Sequence, residues 1–329
     1  MPGPGRHRVV PALRRGAGRG QGRDGRGSRG RGRRAHSSWP NGEPRGDLLR
    51  LRLLRLRPLP LRNGPEPRRG RRLDGRTVSG LEGKVALITG GATGIGRAAA
   101  ILLAKEGASI VIGDVNEEGA AEVVRKIESG GGSALARRCD VGAEQDIRAL
   151  IETAEGEYGG LDVVFGNAGL LRTSALQDLS VDLFERHLRL NLTANFLLAK
   201  HAAPAMRRRG GGSIIFMASA GGLRGTRGSV AYNASKGGLV NMTRGLADEL
   251  AGENIRVNCV CPGWVDTPFN RPFWEHAGEG AEEEVLRGVP LGRQSKPEEV
   301  APAIAFLAGS GSSYITGQAL VVDGGMMAT

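Results

Sequence analysis

From about residue 81 onward, short apolar runs alternate along the chain with longer amphipathic segments. Buried strands of a parallel sheet are nearly continuous apolar runs, whereas a helix repeats its apolar residues once per turn. The apolar runs predict strands at 85–88, 109–113, 133–138, 161–165, 213–218, 256–260 and 319–322. Strands that alternate with helices in this way predict one doubly wound α/β domain, with helices on both faces of a parallel sheet.

A glycine-rich segment follows the first predicted strand. It has the sequence Thr-Gly-Gly-Ala-Thr-Gly-Ile-Gly and leads into a helix predicted over 97–105. We expect Gly90 to permit a tight turn, Gly94 to let the backbone approach a pyrophosphate, and Gly96 to allow close helix packing. Free N–H groups at the helix start would bind the phosphates. Because the chain contains 54 glycines, the motif alone also fits a surface turn, but its strand and helix neighbours favour a Rossmann-type nucleotide site.

The second predicted strand leads directly to Asp114, about 20 residues beyond the glycine turn. A carboxylate at this place can bond the ribose hydroxyls of a dinucleotide and repels a 2′-phosphate. Gly91, Gly113 and Val115 supply no compensating cation. We therefore predict NAD(H) rather than NADP(H) as the cofactor. The alternative is that Asp114 is a turn residue that opens the helix beginning near Asn116.

Tyr232 and Lys236 are four positions apart in a segment whose apolar residues repeat with helical spacing. Such side chains lie on one face of a helix, which brings an ammonium beside a phenol. Ser219 directly follows the apolar run at 213–218, and ligands bind at strand ends in α/β sheets. Taken singly, these residues also fit an exposed helical pair and a simple turn. Their combination favours a catalytic group.

Oxidation of a secondary alcohol removes a hydride from carbon and a proton from the hydroxyl. A phenol with a pKa of about 10 is a weak base at neutral pH and needs a positive charge nearby. We therefore expect Tyr232 to be the acid/base, with its pKa lowered by Lys236 and by an oxidised nicotinamide ring. Ser219 would position the substrate oxygen. Asn191, on a helix predicted over 182–206, would hold a water for proton relay, although alone it also fits a bond to the backbone.

These motifs together resemble the short-chain dehydrogenase/reductase family, over residues 81–325. The resemblance rests on the glycine turn, Cys139-Asp140-Val141, Asn167-Ala168-Gly169, Asn191, Ser219, Tyr232, Lys236, and Pro262-Gly263 with Thr267. The family commonly has Asn-Asn-Ala-Gly where this chain has Gly166 before Asn167. The resemblance implies that Asp140 contacts adenine, that Lys236 holds the nicotinamide ribose, and that Thr267 flanks the nicotinamide. The implied cofactor-binding set, which includes no metal, is Gly90, Thr93, Gly94, Ile95, Gly96, Asp114, Asp140, Val141, Asn167, Ala168, Gly169, Tyr232, Lys236, Pro262, Gly263, Val265 and Thr267.

The net charge of +12 is distributed unevenly along the chain. Residues 1–80 contain 22 Arg, no Lys and 5 acidic residues, a net charge of +17. Residues 81–329 contain 24 Lys and Arg against 29 acidic residues, a net charge of −5. The high isoelectric point therefore comes from the N-terminal part, and nucleic-acid binding by the rest of the chain is not indicated.

The N-terminal extension, residues 1–79, is rich in Arg, Gly and Pro and too poor in apolar residues to form a core, so we predict disorder. Its Arg-Gly stretches fit RNA binding, and an acid-poor, Arg-rich start fits a transit peptide. A twin-arginine export signal is not indicated, because the Leu-rich stretch at 48–61 is interrupted by arginines and prolines. The interpretation we favour is translation of an upstream GC-rich reading frame, with the mature protein starting near Val78. The catalytic domain is then residues 80–329.

Several further properties follow from composition. No segment has the roughly 18 uninterrupted apolar residues of a membrane helix, so we expect no membrane association. Cys139, Cys259 and Cys261 are expected to be small buried residues, neither metal ligands nor disulfide partners. The scattered histidines show no metal-ligand spacing. We expect the protein to be cytoplasmic.

The substrate is the least determined part of the prediction. Trp264, Phe269, Phe273 and Trp274 fall in the segment expected to form a substrate lid, which favours an apolar or cyclic alcohol or ketone. The alternative is that these rings only pack the lid or a subunit interface.

We therefore expect an NAD(H)-dependent oxidoreductase that interconverts a secondary alcohol and a ketone, and the resemblance implies a homotetramer. One alternative is a 3-oxoacyl carrier-protein reductase, which the closing segments 314–317 and 324–326 also resemble. Another is a non-catalytic NAD-binding protein.

Overall fold

The computed structural model describes residues 80–278 and 280–328, all of which lie in one compact unit. The strands of this part are β1 Val85–Thr89, β2 Ser109–Asp114, β3 Ala134–Arg138, β4 Val163–Gly166, β5 Gly212–Met217, β6 Ile255–Pro262 and β7 Ala319–Val322. They form one parallel sheet in the order β3-β2-β1-β4-β5-β6-β7. The predicted doubly wound α/β fold is confirmed. The disorder predicted for residues 1–79 concerns a part of the chain outside the described residues.

Helices connect the strands. They are α1 Gly94–Lys105, α2 Glu117–Ser129, α3 Glu144–Tyr158, α4 Val181–Leu188, α5 Ala194–Arg208, α6 Val230–Leu250, α7 Arg271–Ala277, α8 Ala281–Arg287 and α9 Pro297–Ala308. Apolar residues of α3, α5 and α6 pack on one face of the sheet, and those of α1, α2 and α9 pack on the other. The chain thus has two cores separated by the sheet, as in a doubly wound fold.

The sequence of strand β1 is mostly apolar because both faces of the strand are buried. All five of its residues are buried. Val85 and Leu87 point into one core, while Ala86 and Ile88 point into the other, because successive side chains of a strand face opposite ways. The sheet extends from β1 through β2 to β3 in one direction and from β4 onward in the other. The crevice between β1 and β4 is therefore the topological switch point where such sheets bind ligands.

The helix predicted over 182–206 differs from the observed structure. Helix α4 ends at Leu188, a wider π turn covers Arg189–Thr193, and α5 follows from Ala194. The side-chain amide of Asn195, just after this turn, donates to the carbonyl oxygen of Asn191 over 2.8 Å. This carbonyl of the helix is thus bonded to a side chain. Such turns inside helices often occur at functional sites. Hydrophobic periodicity correctly predicted that the chain is helical in this region, but it does not reveal the wider π turn at Arg189–Thr193.

The three cysteines are free and buried, as predicted. Within residues 80–278 and 280–328, no helix has the length and apolarity needed to cross a bilayer. The same residues contain no group of three or more His, Cys, Asp or Glu side chains arranged to hold a metal ion.

Candidate active site

A cavity of about 440 Å³ lies over the carboxyl ends of the central strands. Of the predicted cofactor-binding and catalytic residues, all but Gly96 and Asn191 line it. The lining members of the predicted set are Gly90, Thr93, Gly94, Ile95, Asp114, Asp140, Val141, Asn167, Ala168, Gly169, Ser219, Tyr232, Lys236, Pro262, Gly263, Val265 and Thr267. Residues that are far apart in the sequence thus meet at one place in the fold.

The glycine turn connects β1 to α1 with backbone angles that favour glycine. Gly90 has a φ of +68° and Gly94 a φ of +52°. A Cβ atom on Gly90 would lie 2.9 Å from the Cα of Ala168, and one on Gly96 would overlap the carbonyl oxygen of Gly90. The first turn of α1 contains no acidic residue. A helix N-terminus thus opens into the cavity with free N–H groups, an arrangement that fits a pyrophosphate.

Asp114 ends β2 at the edge of the same cavity. Its carboxylate accepts hydrogen bonds from the backbone N–H groups of Ala92 and Asn116, each over 2.9 Å. A carboxylate has about four acceptor positions, so about two remain for the two hydroxyls of a ribose. The alternative role of Asp114 as a turn residue is therefore compatible with ribose binding, because the side chain can do both.

Asn167 joins the ends of β1 and β4. Its side-chain amide donates to the carbonyl of Gly90 over 2.8 Å. The hydroxyl of Thr89 accepts from the backbone N–H groups of Asn167 at 3.1 Å and Ala168 at 3.2 Å. These bonds fix the floor of the crevice beside the glycine turn. Asn167 thus supports the cleft mainly by holding two strand ends together.

Lys236 is buried in the middle of the cavity wall with 2% of its surface exposed. Its Nζ donates to the carbonyl oxygen of Met217 over 2.6 Å and lies 5.7 Å from the centre of the Tyr232 ring. Burial lowers the pKa of Lys236 to about 8. The ammonium is therefore still charged at neutral pH, although its burial is unfavourable.

Tyr232 and Ser219 face the cavity from α6 and from the end of β5. Burial raises the pKa of Tyr232 to about 12, while the hydroxyl of Ser219 acts in the opposite direction. The Ser219 Oγ also accepts from the backbone N–H of Gly221 over 3.0 Å, which fixes its position. A phenol with so high a pKa can act as a base only with strong stabilisation of the phenolate.

Asn191 lies behind the cavity wall and is fully buried. Its Oδ1 accepts from the backbone N–H of Leu170 over 2.6 Å. Its Nδ2 donates to the carbonyl of Leu170 over 3.0 Å and to the hydroxyl of Ser235 over 2.9 Å. Ser235 in turn donates to the carbonyl of Tyr232 over 2.7 Å. Both side-chain donors of Asn191 are therefore in use, so the side chain ties the Leu170 backbone to Ser235, and a relay role for Asn191 stays a prediction.

The four aromatic residues of the segment after β6 divide into two groups. Trp264, Phe273 and Trp274 pack against one another, with ring centres 4.6 to 5.0 Å apart. Phe269 lines the cavity, and its ring centre lies 6.4 Å from that of Tyr232. The alternative that the rings pack the lid itself therefore fits Trp264, Phe273 and Trp274, whereas Phe269 is in a position to contact a substrate.

Sequence reasoning missed several lining residues. Arg186 and Leu190, one turn apart in and after α4, both line the cavity, as does Asn270. The side-chain amide of Asn270 donates to the carbonyl of Val265 over 2.6 Å and so braces the segment that carries Phe269. The four-residue spacing of Arg186 and Leu190 could have placed them on one helix face. Which face meets the cavity depends on tertiary packing.

The chain is similar to several known dehydrogenases and reductases. The family described as enoyl-(acyl carrier protein) reductase matches residues 90–327. A 3-oxoacyl-[acyl-carrier-protein] reductase from Thermotoga maritima is 40% identical over 75% of this chain and 99% of that protein. A cis-4-hydroxycyclohexanecarboxylate dehydrogenase from Sinomonas cyclohexanicum is 43% identical over 74% of this chain and 97% of that protein. The solved structure of a 7α-hydroxysteroid dehydrogenase complexed with NADH and 7-oxo glycochenodeoxycholic acid is 34% identical. It has a TM-score of 0.71 and covers 75% of this chain and 95% of its own.

Proposed function

The chain belongs to the short-chain dehydrogenase/reductase family of nicotinamide-dependent alcohol/ketone oxidoreductases, and from this premise we propose that it is an NAD(H)-dependent dehydrogenase acting on a secondary, apolar or cyclic alcohol. The observation that carries the proposal is the convergence of Ser219, Tyr232 and Lys236 on the cavity that the glycine turn and Asp114 also line. Hydride transfer requires a proton acceptor next to the cofactor, and this arrangement supplies one.

The choice of NAD(H) rests on Asp114. Its carboxylate retains acceptor positions for the hydroxyls of an adenosine ribose and repels a phosphate at the 2′ position. The neighbouring Gly91 and Gly113 carry no side chain, and Val115, which is 59% exposed, carries no charge.

The proton chemistry is assigned to Tyr232. When bound, the oxidised nicotinamide supplies the hydride acceptor and a positive charge. The Tyr232 phenolate then accepts the hydroxyl proton of the alcohol, and in the reverse direction the phenol returns it to the ketone oxygen. The Lys236 ammonium, which lies 5.7 Å from the centre of the Tyr232 ring, attracts the negative charge of a phenolate and so stabilises it. Ser219 donates a hydrogen bond to the substrate oxygen and orients it for transfer.

Phe269 supports an apolar or cyclic substrate. Its ring lines the cavity beside Tyr232, where the reacting carbon must lie. A ring of the substrate can pack against it, and aromatic contacts of this kind contribute beyond the buried area alone. The relative named for cis-4-hydroxycyclohexanecarboxylate acts on a six-membered ring with a hydroxyl group, which points to the same class.

Assembly and location are part of the proposal. We propose a homotetramer, as the family resemblance implies, and the exposed apolar side chains of Phe196, Phe306 and Tyr314 support burial against other subunits. A cytoplasmic location is supported by the three cysteines, which are free. Light scattering of the purified protein measures the subunit number directly.

A 3-oxoacyl carrier-protein reductase is the second candidate, favoured by the 40% identity to the Thermotoga maritima protein over nearly its full length. That activity commonly uses NADPH, which the carboxylate of Asp114 disfavours. The two candidates therefore differ in cofactor as well as in substrate.

The test is the rate of NADH or NADPH formation or consumption, followed by near-ultraviolet absorbance. Cyclohexanol derivatives, linear secondary alcohols and a 3-oxoacyl thioester are assayed with both cofactors. We expect turnover of cyclic alcohols with NAD⁺. Thioester reduction with NADPH, and no oxidation of cyclic alcohols, would favour the second candidate. Binding of NADH without turnover of any compound would contradict the proposed substrate class.

A further inference from the structure

His187 is a buried titratable side chain that the proposed proton chemistry does not use. It lies in α4, one turn before Asn191, and is fully buried. Its Nδ1 lies 2.8 Å from the carbonyl oxygen of Leu183, and its Nε2 lies 3.2 Å from the backbone nitrogen of Arg172. A carbonyl oxygen only accepts and a backbone N–H only donates. The partners therefore require the neutral ring with the proton on Nδ1, so that Nε2 accepts from Arg172.

His187 and Asn191 hydrogen-bond to the same backbone segment, and we call this pair of side chains with their backbone partners the ladder. His187 accepts from the backbone N–H of Arg172, and Asn191 both accepts from and donates to the backbone of Leu170. Side chains four residues apart in the helical segment thus bond to backbone groups two residues apart in the segment after β4.

The segment held by this ladder, residues 169–172, begins in the cavity wall. Gly169 lines the cavity. A Cβ atom at Gly169 would lie 2.8 Å from Oδ1 of Asn191 and 3.6 Å from Nζ of Lys236. Gly169 therefore lies beside the buried ammonium, where a side chain would contact both Asn191 and Lys236. A displacement of the segment would change both the shape of the cofactor cleft and the surroundings of Lys236.

We propose that neutral His187 is a positioning residue, which accepts from Arg172 and thereby holds residues 169–172 against Lys236 in the shape that the cofactor cleft requires. The inference rests on the proposed roles of that cleft and of Lys236. Burial lowers the pKa of His187, and the nearby positive charges of Arg172, Arg186 and Lys236 lower it further, against the effect of the bond to Leu183. The neutral form that the ladder needs is thus the form present at neutral pH.

Two substitutions separate the hydrogen bond from simple packing. His187→Met fills similar space without an acceptor for Arg172. His187→Gln places an amide oxygen where it can accept from that N–H. His201→Met is the matched control, because His201 lies on α5 outside the cavity lining, where it is bonded to Glu144. The readouts are the dissociation constants of NADH and NADPH, measured by fluorescence, and kcat and KM for the best alcohol found, all on the full chain.

We expect His187→Met to weaken NADH binding or lower kcat by roughly 10- to 100-fold, as small misplacements in an active site do. His187→Gln should recover most of that loss, and His201→Met should match the wild type. Two outcomes would overturn the proposal. In one, His187→Met binds and turns over like the wild type. In the other, His187→Gln is impaired as much as His187→Met, which would assign His187 to packing alone.

Hydrogen exchange supplies a readout that does not need turnover. The backbone amide of Arg172 should exchange slowly in the wild type and in His187→Gln, and much faster in His187→Met. If His187→Met does not fold, His187→Asn replaces it, because its shorter amide does not reach Arg172. Equal protection of the Arg172 amide in all folded variants would also overturn the proposal. Failure of the wild type to bind either cofactor would instead contradict the function proposed above.

Discussion

Replacing Lys236 by Met should change how the free energy of unfolding depends on pH, because burial of this ammonium destabilises the folded protein. Burial holds the pKa of Lys236 at about 8 in the folded protein, compared with 10.5 for an ordinary lysine. Each pKa unit corresponds to about 1.4 kcal/mol, so burying the charged form costs about 3 kcal/mol. The side chain is only 2% exposed, so solvent screening reduces this figure little.

The sign of the effect follows from proton binding. Between about pH 8 and 10.5 the unfolded chain holds the Lys236 proton and the folded protein does not. The free energy of unfolding therefore rises with pH in this window. Below pH 8 both states are protonated and the whole cost is present. The variant lacks this contribution, so the wild-type stability minus that of Lys236→Met should increase by about 3 kcal/mol from pH 7 to pH 10.5.

Urea unfolding of both proteins without cofactor, followed by circular dichroism at several pH values, measures this difference. Loss of the hydrogen bond to Met217 changes the size of the difference but not its pH dependence, because a neutral amine also donates. Replacement of Lys105, an exposed lysine at the end of α1, is the matched control and should show no such rise. A difference between wild type and Lys236→Met that stays constant with pH would refute the desolvation of Lys236. Turnover should be lost in Lys236→Met at every pH.

Three further outcomes are expected. Asp114→Ala combined with Val115→Arg should lower the preference for NAD⁺ over NADP⁺ roughly 10- to 100-fold, because a repelling charge is replaced by an attracting one; an unchanged ratio of kcat/KM values would contradict the role of Asp114. Phe269→Ala should raise KM for cyclic alcohols about tenfold, with a smaller effect on short linear alcohols, because one aromatic contact is lost; equal effects on both classes would exclude a role in substrate selection. Gly94→Ala should weaken NADH binding at least about tenfold, since a Cβ atom enters a left-handed turn at the phosphate end of the cavity. Gly131→Ala, at a left-handed glycine with open space around it, is its control and should leave NADH binding unchanged.

The sequence predicted the sheet and the members of the cavity lining because both depend on local patterns. The fully apolar run of β1 shows that both faces of the strand are covered. Small residues at Gly90 and Gly94 reflect backbone angles and close approach, which are local properties. Tyr232 and Lys236 were placed together by helix geometry alone. Parallel strands then bring such residues to one edge of the sheet.

What the sequence did not reveal depends on contacts between distant segments. The amide of Asn191 is occupied by the backbone of Leu170 and the hydroxyl of Ser235, and no spacing in the sequence encodes those partners. The same holds for His187, whose partner Arg172 lies in an irregular segment. Composition drew attention to the aromatic residues after β6, but only packing shows that Trp264 faces other rings rather than the cavity.

The central claim is that Tyr232 transfers the proton while the rest of the cavity binds the cofactor, and one comparison tests it most directly. NAD⁺-dependent oxidation of the best alcohol is measured for the wild type and for Tyr232→Phe, together with NADH binding to each. We expect Tyr232→Phe to lower kcat by about 100- to 10,000-fold, which is the range of general acid–base catalysis. The dissociation constant of the variant for NADH should stay close to that of the wild type. Turnover by Tyr232→Phe at a substantial fraction of the wild-type rate would contradict the account.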